Sequence, residues 1–150
     1  MAKQNNERAF QNFVKDTIRA EGGWFSQLHP GMSSDFGIPD LLTAVDAVGI
    51  LPTELKIGSI ESDDALWSTA IRPSQIAWHT RLTQFGYLSC IMIGVPNGKS
   101  WRIFVVDGMD ASKVRDGFLI GKDATEIDPR FFLEELNQWA VDNDNTYSED

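Results

Sequence analysis

The sequence predicts a single α/β domain with a mixed central sheet flanked by helices. Three observations lead there. Both ends of the chain carry apolar residues at helical spacing, the middle carries short apolar runs of strand length, and one helical pattern stands between two of those runs, the form of a β-α-β crossover. A chain of 150 residues suits one such domain with a sizeable core. Residues 1–141 are read as that domain and residues 142–150 as an acidic C-terminal tail.

From about Gln4 to Ala20, Phe10, Phe13, Val14 and Ile18 fall three and four apart, one face of an amphipathic helix, and Gly22 and Gly23 stop it. "WFSQL" is a short strand closed by His29-Pro30-Gly31, and "SSDFG" is a loop of small and polar residues. Strands are expected over 40–46 and 50–57, joined near "DAVG". The polar segment "GSIESDDALWSTAIRP" is expected to form a loop or lid. Pro73 suits the first turn of a helix running to about Gly86, with Trp78, Leu82 and Phe85 toward the core. "YLSCIMIGVP" has the continuous apolar character of a buried central strand, and "WRIFVVDG" pairs with it through the turn "PNGKS". A last helix over 130–141 puts Phe132, Leu136, Trp139 and Ala140 on one face.

Composition narrows the class. Hydrophobic residues at 42% and charged residues at 23% are those of an ordinary soluble globular protein. No window approaches a membrane span, and "MAKQNNERAF" has no apolar signal-peptide core. Cys90 is the single cysteine, which excludes an internal disulfide and a thiolate metal cage and points to a reducing cytoplasm. The net charge of −9 argues against broad nucleic-acid binding. Much of it is local: residues 134–150 hold six acids and no base, leaving 16 acids and 13 bases over 1–133. A locally positive groove is compatible with that distribution.

The chemistry concentrates in "GIPDLLTAVDAVGILPTELK". Along the second of its two strands Leu51, Thr53, Leu55 and Ile57 share one face, and Glu54 and Lys56 share the other. A turn centred on Ala47 sets residue 40 opposite residue 54, and a turn centred on Val48 sets it opposite residue 56. Either register brings Asp40 to the Glu54–Lys56 side. Two carboxylates that close repel unless something positive lies between them, and a hard divalent cation such as Mg²⁺ suits them. Lys56 is placed to orient or deprotonate an attacking water, or to neutralise charge in a phosphoryl transition state. The plainer reading is a surface ion pair, worth roughly 0.2–1 kcal/mol. Glu54-Leu55-Lys56 is, however, the only acid-x-lysine in the chain, and it follows Pro39-Asp40 on the next strand.

That conjunction resembles the signature of the PD-(D/E)XK nuclease superfamily, Pro39-Asp40 matching its first half and Glu54-Leu55-Lys56 its second. "RPSQIAWHTRLTQFGY" is similar to the helix after the lysine strand in virus-type replication-repair (VRR-NUC) nucleases, with Gln75 early and Gly86 at the end. "GIPDLL" is in that branch's style, and phage Holliday-junction resolvases share the core. The resemblance spans about residues 7–106. It implies a restriction-endonuclease-like αβββαβ core, with Asp40 and Glu54 binding Mg²⁺ (Mn²⁺ as substitute) and the Leu55 carbonyl completing the shell. It implies Lys56 as the catalytic lysine and Gln75 as a supporting polar residue. It also implies a glutamate from the first helix, for which Glu7 is the candidate and Glu21 the alternative. The expected protein is a phage-type, Mg²⁺-dependent DNA endonuclease acting on branched or duplex DNA. A homodimer is expected, because one small domain does not readily cut two strands. RNA stays open as a substrate. The rival expectation is a catalytically silent nuclease-fold binding module, or an acidic inhibitor or subunit of a phage or host complex.

Other residues are read as structural. His79 is a partly exposed or satisfied core residue, and His29 and Asp35 are loop residues. The acids of "ESDD", residues 61–64, are a solvated loop or helix start. Of Arg72, Arg81, Lys99 and Arg102, only Arg72 adjoins the proposed site. The five tryptophans are mostly core candidates, with Trp67 as a possible stacking residue.

Overall fold

The computed structural model describes residues 2–28, 37–61, 65–68 and 70–144, with side chains from Asn6 onward. His29, Asp35, most of "ESDD" and the end of the acidic tail lie outside the described residues. The elements follow in order: α1 (Ala2–Ala20), β1 (Phe25–Gln27), β2 (Leu41–Val45), β3 (Gly49–Ile57), β4 (Ser59–Ile60), β5 (Ala65–Trp67), α2 (Pro73–Gln84), β6 (Cys90–Asn97), β7 (Ser100–Asp107), α3 (Ala111–Asp116), β8 (Phe118–Leu119), β9 (Ala124–Ile127) and α4 (Phe132–Asn143). Among the described residues no helix is long and apolar enough to cross a membrane.

One mixed sheet, ordered β1-β2-β3-β6-β7-β9, organises the domain, and β4, β5 and β8 make a second, small sheet. The crossover from β3 through α2 returns parallel, pairing Glu54 with Ile91 and Lys56 with Ile93. All other ladders of the main sheet are antiparallel. β6 and β7 form the expected hairpin, closing with Asn97 opposite Ser100.

Each face of the sheet carries its own core. On one, Phe10, Val14 and Ile18 of α1 and Phe132, Leu136 and Trp139 of α4 cover Leu51, Leu55, Cys90, Met92, Ile103 and Val105. On the other, α3 and the small sheet pack Val114, Leu66 and Phe118 against Ile91, Ile93, Phe104 and Val106, with Ile76 of α2 at the margin. The two-residue alternation of strands makes this division. A sheet buried on both sides is also why β6 is apolar from Cys90 to Val95.

Three expectations are corrected. The inward residues of α2 are Gln75 and His79, whereas Trp78 and Leu82 are half-buried and Phe85 is 76% exposed. The helix lies over Glu54, so its inner face is polar. The segment expected as a loop or lid contributes β4 and β5, anchored by the fully buried Leu66. Of the tryptophans only Trp139 is buried, while Trp24 and Trp67 are exposed.

Candidate active site

Residues 40 and 54 are brought together by strand register. β2 and β3 pair Leu41 with Thr53 through Val45 with Gly49, the register of a turn centred on Ala47. Extended by one residue, it sets Asp40 opposite Glu54. β2 ends there, so the Leu55 amide has no strand partner on that side, and it donates to Asp40 Oδ2 at 2.8 Å. In an extended strand a residue's N–H and C=O point to the same edge, so the Leu55 carbonyl faces the same opening. The Asp40 carbonyl is tied back by the Leu28 amide at 2.9 Å.

Gly37 fixes the approach to Asp40. Its φ is +75°, and a side chain there would collide with the Ser74 carbonyl at the start of α2. Glycine therefore lets the chain entering β2 lie directly against the turn that presents Gln75.

Glu54 and Lys56 point to the α2 face, as strand alternation requires, yet they are not a surface pair. Glu54 is 1% exposed and Lys56 6%. Lys56 Nζ is 3.5 Å from Glu54 Oε2 and 3.5 Å from the Ala70 carbonyl. Gln75 Nε2 donates to Glu54 Oε2 at 3.0 Å, while Gln75 Oε1 accepts the Arg72 amide at 2.9 Å. One side chain thus closes the N-terminus of α2 and holds the acid of β3. Arg72, exposed at that helix start, adds positive potential at Glu54.

Burial shapes the electrostatics. Asp40 is pushed up from 3.8 to about 7, first by loss of water and then by the neighbouring Glu54 carboxyl; the Leu55 amide and Lys56 act in the opposite direction. Burial also raises Glu54, against the lowering pull of Lys56. Once both acids ionise, a single ammonium beside them leaves one negative charge uncompensated. Hard oxygen donors with unmet negative charge fit a divalent cation such as Mg²⁺. Asp40, Glu54 and the Leu55 carbonyl are the groups able to hold one.

The structure thus gathers Asp40, Glu54, Leu55, Lys56 and Gln75. Glu7, half-buried on α1, makes no hydrogen bond or ion pair to any of them. No third carboxylate, imidazole or thiolate among the described residues joins the pair at metal-ligating spacing. Glu21 is engaged elsewhere, its carboxylate accepting the Phe132 and Leu133 amides at 3.1 and 2.9 Å to cap α4.

His79 is the site residue that sequence reasoning missed. It is fully buried, with Nε2 4.0 Å from Glu54 Oε1 and Nδ1 2.7 Å from Ser89 Oγ. Burial lowers it to about 4, so it is neutral at pH 7. The available signal was its spacing of four from Gln75, which puts both on one helix face.

No family model and no curated protein matches the chain. Among solved structures, Hjc of the archaeal hyperthermophile Archaeoglobus fulgidus, a Holliday junction resolvase, is similar at 17% identity and a TM-score of 0.43, over 75% of this chain and 94% of that one.

Proposed function

We propose that the protein is a Mg²⁺-dependent DNA endonuclease of the phage type, hydrolysing phosphodiester bonds in branched or duplex DNA. The observation that carries this reading is the buried assembly of Asp40, Glu54 and Lys56 at the end of the β2–β3 ladder. Two acids and a lysine withdrawn from water together cost far more than a surface ion pair returns. Chemistry on a charged substrate gives such an arrangement a use.

The chain's own residues divide the work. Asp40 and Glu54 hold the cation, with the Leu55 carbonyl on the same edge. The cation supplies Lewis acidity at the phosphoryl oxygen and a more acidic bound water. Lys56 places an ammonium beside the carboxylates, where it orients the attacking water and stabilises charge developing on the phosphoryl group. Gln75 keeps Glu54 in one orientation through its 3.0 Å hydrogen bond. Arg72 stands at the rim as a phosphate contact. Glu7 remains the first-helix acid proposed to face the substrate from the N-terminal side. Cutting both strands of a junction calls for two such sites, hence a homodimer.

The test is a cleavage assay with purified protein on labelled linear duplex, single-stranded and four-way-junction DNA, in Mg²⁺, Mn²⁺ or EDTA. The reading predicts cutting that requires metal and prefers duplex or branched substrates. A folded protein that cuts none of them refutes it and favours an acidic binding module, the reading that the net charge of −9 motivates.

A further inference from the structure

The two nitrogens of His79 have unequal surroundings. Nδ1 lies 2.7 Å from Ser89 Oγ, whereas among the described residues Nε2 has no hydrogen-bond partner and faces Glu54 Oε1, equally unpartnered, at 4.0 Å. Both side chains are withdrawn from solvent, at 0% and 1% exposure. Two buried polar atoms that face each other without a partner among the described residues are an exception that calls for an account. Glu54 Oε2 is already served by Gln75 and Lys56, so the vacancy is confined to Oε1.

We infer that His79, fixed by Ser89, is the positioning residue of Glu54: the Ser89 hydroxyl donates to Nδ1, the ring proton sits on Nε2, and Nε2–H is the donor that holds Oε1. This rests on the reading of Asp40 and Glu54 as cation-binding carboxylates. The other neutral tautomer would turn the Nε2 lone pair toward a carboxylate oxygen, which is repulsive. A movement of roughly 1 Å closes the gap to hydrogen-bond length. A carboxylate oxygen has two lone pairs, so an Oε1 that accepts from His79 keeps one for a cation. Gln75, Lys56 and His79 then restrain the carboxylate at both oxygens.

The surroundings are built around this dyad. Ser89 is held in place by its carbonyl, which accepts the Gly108 amide at 2.9 Å. A side chain at position 108 would collide with Ser89 Oγ and come within 3.3 Å of His79 Nδ1. Glycine at 108 therefore leaves the hydroxyl and the ring their room. Partners that orient a ligand in this way typically change metal affinity about 10–100-fold.

The test has two readouts, neither of which is cleavage. The first is the ¹⁵N NMR tautomer of the His79 ring in the metal-free wild-type protein, its signals assigned by their loss in His79→Gln. The second is Mn²⁺ affinity of the wild type, His79→Gln and His79→Phe, with Mn²⁺ alone as the probe. The inference predicts a protonated Nε2 and an unprotonated Nδ1. It predicts Mn²⁺ binding about 10–100-fold weaker in His79→Phe. His79→Gln, whose amide nitrogen takes the place of Nε2, stays near wild type. A protonated Nδ1 overturns the inference, as does equal Mn²⁺ affinity in the wild type and a folded His79→Phe. A His79→Gln variant as weak as His79→Phe also overturns it, since a packing role alone would do that. If His79→Phe does not fold, the wild-type tautomer decides. Mn²⁺ binding with the wrong tautomer sinks the inference alone. A wild type that binds no Mn²⁺ sinks the cation reading and the inference with it.

Discussion

Replacing Asp40 by asparagine separates the cost of the site from its use. In the folded protein Asp40 ionises at about 7, against 3.8 for the free group, because burial and the Glu54 carboxyl oppose its charge. Between those values the unfolded chain releases a proton that the folded chain keeps, so stability falls as pH rises; below both it is fully present, and above both the loss is constant. Each pH unit in the window is worth about 1.4 kcal/mol. Screening at the half-buried carboxyl brings the whole loss to roughly 2–4 kcal/mol. Asparagine keeps an acceptor for the Leu55 amide and cannot ionise. Urea unfolding in EDTA is therefore predicted to show wild-type stability declining from about pH 4 to pH 7, with Asp40→Asn, in which only Glu54 still opposes ionisation, declining less and the more stable protein at pH 8. Mg²⁺ at a hundred times its Kd should return about 2.7 kcal/mol to the wild type and little to the variant. Parallel pH profiles, or equal Mg²⁺ stabilisation of both proteins, would refute the reasoning.

Gln75→Ala removes the amide donor of Glu54 Oε2 and the acceptor of the Arg72 N–H. Urea unfolding should show a loss of about 1–3 kcal/mol, and cleavage should fall with it. Glu21→Ala should lower stability by about 1 kcal/mol through the lost cap of α4 while leaving the cleavage rate unchanged, which distinguishes a capping acid from a site acid. Gly37→Ala forces a side chain onto the Ser74 carbonyl at positive φ; it should cost at least about 1 kcal/mol and reduce cleavage by displacing Asp40 from Glu54.

How far the sequence carried depended on whether each element declared itself by apolar pattern. Phe10, Val14 and Ile18 announce α1, the unbroken "CIMIGV" announces a strand buried on both faces, and strand alternation alone puts Glu54 and Lys56 on one face. The α2 face was misjudged for the same reason in reverse. Its inward residues, Gln75 and His79, are polar because they cover a buried acid, so apolar periodicity pointed to Phe85, which is exposed. The small sheet was missed because β4, β5 and β8 are two or three residues long, too short for alternation to register. Burial of the Glu54–Lys56 pair was equally illegible. Charge at a strand position says which face it occupies, and only the helix packed over it says whether water reaches it.

Lys56→Met offers the most direct test of the central claim, since methionine keeps the packed stem and removes the ammonium. The measurement is the single-turnover rate of junction or duplex cleavage in Mg²⁺, for wild type and variant, with circular dichroism to confirm folding. The account predicts a fall of at least about a hundredfold in a folded Lys56→Met protein. Cutting at the wild-type rate by that variant would contradict it, and would leave Asp40, Glu54 and Lys56 as a buried structural cluster with the active site elsewhere.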